Sequence, residues 1–67
     1  MDIRKRFGKR VKALREANGW SQEELADRAD LHRTYISAVE RAVRNPTLTV
    51  IERIAKALKI SMAELFS

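Results

Sequence analysis

The 67-residue sequence has no cysteine, one proline, two glycines, one histidine and four aromatic residues, and each scarcity closes off a class of protein. Without cysteine there is neither a disulfide framework nor a thiolate zinc site, which fits a reducing, cytoplasmic setting. A lone histidine with no clustered carboxylates gives a metal no ligand set. Two glycines make no phosphate-cradling loop, no nucleophile elbow is present, and the acids Glu23, Glu24 and Asp27 lack a pocket for proton transfer, so the chain does not read as an enzyme and implies no cofactor and no small-molecule ligand. With so few aromatics, aliphatic side chains must build the core. The start, Met-Asp-Ile-Arg-Lys-Arg, has no apolar signal region and no later window is long enough to span a membrane, so a soluble protein is expected.

What is present is charge. Charged residues make up 34% of the chain, above the usual quarter, and the net charge is +5. Residues 1–15 hold seven bases (Arg4, Lys5, Arg6, Lys9, Arg10, Lys12, Arg15) against one acid. A polyanionic partner follows, nucleic acid before membrane, although a solvated basic face is an equal alternative on charge alone. The length allows one domain, 1–67, with a thin core that dimerisation would supplement.

Turn signals divide the chain into five helical segments with no alternating run that suggests a sheet, so the expected class is all-α. The first spans about 3–17, with Ile3, Phe7, Val11 and Leu14 on one face, and ends at Asn18-Gly19. In "WSQEEL", Ser21 and Glu24 have capping-box spacing, with Trp20 and Leu25 placed as a hydrophobic staple, opening a helix over 22–29 that buries Leu25, Ala26 and Ala29. A third helix over 33–41 buries Ile36, Val39 and, just beyond it, Val43, and stops before Pro46. Thr47 caps a fourth over 48–58, striped by Leu48, Ile51, Ile54, Ala55 and Leu58. Ser61 and Glu64 repeat the capping box ahead of a last helix, 62–66, with Met62, Leu65 and Phe66 as core closure and dimer surface together.

The join between the second and third helices is too short for a flat hairpin and suits a helix-turn-helix corner. With Ile36 inward, steps of about 100° put Thr34, Ser37, Ala38 and Arg41 on the outer face. A face meant only for water is usually rich in Lys and Glu, and this one is not. A major groove asks for little bulk at the centre and donors at the ends: Thr34 and Ala38 suit thymine methyls, Ser37 a base edge or phosphate, and Arg33 guanine. Tyr35 is balanced between covering the core edge and reaching phosphate, and Gln22 sits at a helix N-terminus, where anions are favoured.

The run "SQEELADRADLHRTYISAVERAVRNPTLTVIERIAKAL" resembles the Cro/repressor (XRE-like) class of bacterial helix-turn-helix regulators, and "RTYISxxERxxRNPTL" is especially similar to restriction-modification controller proteins. That resemblance, running from about Ile3 to Phe66, implies a five-helix homodimer joined through its last helix. It would read a two-fold operator on double-stranded DNA, with half-sites about 34 Å apart. It places Arg33, Thr34 and Tyr35 at the bases or nearby backbone, Ser37 and Arg44 also at the DNA, and Gln22 at phosphate; together with the outer-face reading, the expected base contacts are Arg33, Thr34, Tyr35, Ser37 and Ala38, and the expected phosphate contacts Gln22, His32, Arg41, Arg44 and Asn45. Arg15 and Glu40 become a structural ion pair. The sequence departs from the class where glycine is usual: Asp30 tolerates the left-handed turn that position needs, whereas alanine tolerates it poorly, so Ala42 implies an altered exit from the third helix. His32 replaces a capping Ser or Thr, which weakens the cap and leaves the imidazole for phosphate.

The function expected is a sequence-specific transcriptional regulator, activator or repressor, with Glu23, Glu24 and Asp27 available to RNA polymerase. The alternatives are an antitoxin-type interaction module, which would co-purify with a partner protein, and a membrane-surface binder using the first helix, which lipid sedimentation would test.

Overall fold

A computed structural model describes residues 2–66, which form α1 (Ile3–Ala17), α2 (Gln22–Ala29), α3 (Arg33–Glu40), α4 (Leu48–Leu58) and α5 (Met62–Leu65), with no strand among them. α3 lies against α2 and α1, while α4 packs on α2 and α5. Phe7, Val11, Leu25, Ala26, Ile36, Val39, Ile51, Ile54, Ala55, Leu58 and Leu65 form one buried cluster, an aliphatic core with a single aromatic inside it.

Helix starts are set by side-chain caps. Asp2, Ser21, Thr47 and Ser61 each accept a backbone N–H from the first turn. Asp2 also bonds the Arg4 side chain, which lowers its carboxyl below the ordinary range. The two Ser-x-x-Glu patterns differ in outcome. Ser61 and Glu64 close a reciprocal box, Glu64 accepting the Ser61 N–H at 3.1 Å. At α2 only half forms: Ser21 accepts the Glu24 N–H, but the Glu24 carboxylate turns to Arg28 at 2.8 Å, its neighbour at i+4. Arg28 in turn lies 4.3 Å over the half-buried Trp20 ring.

Helix exits are less conventional. Asp30, Ala42 and Lys59 all take left-handed backbone, with φ of 57°, 61° and 59°. Ala42 thus adopts the very conformation it disfavours, and the exit of α3 keeps the turn usual for glycine instead of finding another path. α3 ends at Glu40 rather than Arg41, and α5 at Leu65 rather than Phe66.

Three residues expected in the core are exposed. Ile3 (58%) and Leu48 (76%) occupy the first positions of their helices, beyond the reach of the core, and Val43 (64%) is thrown outward by the left-handed residue before it. Conversely Leu65 is fully enclosed within the protomer, so it closes the core and offers no surface to a second copy.

Gly8 marks a close approach between two helices. A Cβ there would lie 2.6 Å from the Val39 carbonyl oxygen and 2.9 Å from that of Glu40, so α1 meets the end of α3 backbone to backbone. A mid-helix glycine costs about 1 kcal/mol against alanine, a cost offset here by that contact.

Candidate nucleic-acid interface

α3 is bolted to the rest of the molecule at its C-terminal end. The Glu40 carboxylate, with 4% of its side chain exposed, accepts from Arg15 Nε at 2.7 Å, Arg15 Nη2 at 3.0 Å and Gln22 Nε2 at 3.0 Å, while Arg15 Nη1 donates to the Trp20 carbonyl at 2.7 Å. One carboxylate therefore joins α1, the start of α2 and the end of α3. Glu40 holds the Arg15 guanidinium above its ordinary pKa. Such a buried pair fixes geometry more than it adds stability. Gln22, expected to donate from its side chain to phosphate, gives one of its two amide N–H groups to this network, and its side chain is half-buried.

The other end of α3 is free. Arg33 and Thr34 are exposed, Ser37 and Ala38 are half-buried, and Arg41 is exposed, its Nε donating to the Ser37 carbonyl at 3.4 Å. The row therefore runs from an open N-terminal end to a shielded middle. His32 is the N-cap by position but makes no capping bond; its Nδ1 lies 3.0 Å from Thr34 Oγ1. Past the helix, Arg44 and Asn45 are exposed, and the Arg44 guanidinium stands 4.8 Å from the centroid of the half-buried Tyr35 ring. That contact links two candidate residues nine positions apart, and periodicity within α3 gives no sign of it.

The basic first helix is partly self-engaged. Arg4 pairs with Asp2, Arg6 donates to the Phe66 carbonyl, Arg10 to that of Glu64, and Arg15 to Glu40. Arg6 and Arg10 thereby satisfy carbonyls at the C-terminal end of α5. Lys5, Lys9 and Lys12 remain as its exposed cations. Among the described residues no group of acids and histidine could hold a metal, and no helix is long and apolar enough to cross a membrane.

A short helix with an uncrowded outer face, carried on a second helix through the three residues 30–32 and anchored at its far end, defines a helix-turn-helix unit. The chain belongs to the helix-turn-helix family HTH_3, whose model matches residues 11–65. It is 45% identical over 67 residues to control protein C.SmaI of Serratia marcescens, covering 100% of this chain and 80% of that one. Its fold is similar to that of the restriction-modification controller protein C.AhdI from Aeromonas hydrophila, with a TM-score of 0.92 and 46% identity over 94% of this chain and 96% of that one. It also matches the controller protein C.Esp1396I, solved as a tetramer with its natural 35 base-pair operator, at a TM-score of 0.90 and 36% identity over 98% of this chain and 87% of that one.

Proposed function

We propose that this chain is a cytoplasmic, sequence-specific regulator of transcription that binds palindromic double-stranded DNA as a homodimer, in the manner of a restriction-modification controller. The observation that carries the proposal is the division of α3 into a buried, three-helix anchor at Glu40 and an exposed end bearing Arg33 and Thr34. The likeness to a controller solved on its operator supports it.

Arg33, Thr34, Ser37 and Ala38 select bases from the major groove, the first two with the freer reach. Arg44, propped on the Tyr35 ring, Arg41 and Asn45 bind the backbone, and Lys5, Lys9 and Lys12 add ionic attraction that carries no sequence information. With Leu65 enclosed, the surface for a second copy passes to Met62 (36% exposed), the half-buried Phe66 and Leu48 (76% exposed). Glu23 and Asp27, both exposed, are the acids left for a polymerase contact, since Glu24 is paired with Arg28.

Selection from a random duplex library tests the proposal. The expected product is an inverted repeat with half-sites about one helical turn apart. Equal, purely salt-dependent attachment to every duplex would end it.

A further inference from the structure

His32 and Thr34 are both exposed at the open end of α3, and their side chains meet at 3.0 Å. The consequence is chemical. A threonine hydroxyl has one proton to donate. When the imidazole presents a bare Nδ1, that proton is spent on it, and Thr34 Oγ1 faces outward only as an acceptor. When Nδ1 carries a proton, the imidazole donates to Oγ1 and the hydroxyl proton is released outward.

From this contact we infer that His32 sets the hydrogen-bonding polarity of Thr34, making base choice at the position Thr34 meets depend on pH. The inference rests on α3 being the base-reading helix. A neutral imidazole can take either tautomer, so Thr34 then suits both the amino edges of adenine and cytosine and the acceptor edges of guanine and thymine. An imidazolium carries protons on both nitrogens, so the acceptor-only state of Thr34 is lost: its hydroxyl proton is always free to donate outward, and acceptor edges gain relative to amino edges. Imidazoles change state within the physiological range, so the selection is conditional rather than fixed.

His32 shares a shallow cleft with Glu23 and Asp27 of α2 and with Arg33 of its own helix. Glu23, Asp27 and Arg33 are the charged groups that line that cleft with it. A serine or threonine cap at position 32 would leave Thr34 without this partner, so the conditional preference belongs to the residue this chain carries there.

The test measures binding of the intact protein to duplexes differing only at the base pair where Thr34→Ala loses discrimination, at about pH 8 and about pH 5.5 and equal ionic strength. The ratio of affinities for acceptor-edge over amino-edge bases is expected to rise about fivefold on acidification, the worth of one hydrogen bond. His32→Ala should hold that ratio constant with pH. So should His32→Asn, which supplies a strong N-cap and guards against loss of the helix, with helicity followed by circular dichroism at both pH values. A gain shared equally by all duplexes would mean that the imidazolium acts only on phosphate and would overturn the inference, as would a pH-dependent ratio that persists in either variant. If no base is discriminated at either pH, the fault lies with α3 as the reading helix and not with His32.

Discussion

α3 is eight residues long, and its two ends belong to different regimes. At the Glu40 end, a nearly buried carboxylate takes three hydrogen bonds from two other helices, and α1 presses so closely that only glycine fits at position 8. At the His32 end the cap makes no backbone bond, and Arg33 and Thr34 stand in solvent. On the proposed reading of α3, orientation and recognition fall at opposite ends of one short helix, so a substitution should disturb folding or selectivity, seldom both.

Glu40→Ala should break the anchored end most severely, stranding the Arg15 guanidinium and costing about 3 kcal/mol in urea unfolding, with Glu40→Gln milder because an acceptor remains. Gly8→Ala comes next. Its methyl group meets backbone carbonyls that cannot swing aside, so despite better helix propensity it should destabilise by about 2 kcal/mol and, by displacing α3, lower selectivity for the operator beyond what the unfolded fraction explains.

At the open end, Arg33→Ala should leave stability within about 0.5 kcal/mol and remove about 1–3 kcal/mol of preference at one base position. Arg44→Ala should instead weaken all duplexes alike and lower the salt slope by about one; Tyr35→Phe should preserve that behaviour and Tyr35→Leu mimic its loss. Equal loss of selectivity from Arg33→Ala and Arg44→Ala would erase the distinction between reading and holding. The smallest effect is a gain: Ala42→Gly should stabilise the exit of α3 by about 1 kcal/mol, and Asp30→Gly by less, because aspartate tolerates the left-handed region better.

Much of this architecture is written locally, which is why it was legible. Ser21, Thr47 and Ser61 announce helix starts through hydrogen bonds spanning three residues, and the apolar spacing around Ile36 and Ile54 names the buried faces. Spacing does not say how far a core extends, so Ile3 and Leu48, at helix ends, fell outside it. Nor does it register a change of direction, and Val43 left the face of α3 as soon as Ala42 turned. Asp2 went unread as a cap, and Lys59 gave no sign of its left-handed turn.

The remaining gaps concern contacts distant in sequence. The capture of Gln22 by Glu40, the Arg44 guanidinium on Tyr35 and the seat of Gly8 against Val39 each join residues brought together only by the fold. The pairing of Arg15 with Glu40 was inferred from resemblance, not from spacing. For the candidate site, composition and periodicity exposed the face of α3. They were silent on the coupling of Thr34 to His32, because two polar residues two positions apart at a helix start commonly ignore each other.

Gly8 finally makes α3 a short lever. Eight residues span about 12 Å, with the fulcrum pinned at Val39 and Glu40 and the working tip at Arg33. Any thickness inserted at the fulcrum would swing the tip sideways, and if that tip reads bases as proposed, it would no longer face its own base pair. On that reading, accuracy at the operator depends on the absence of a methyl group at the opposite end of the helix.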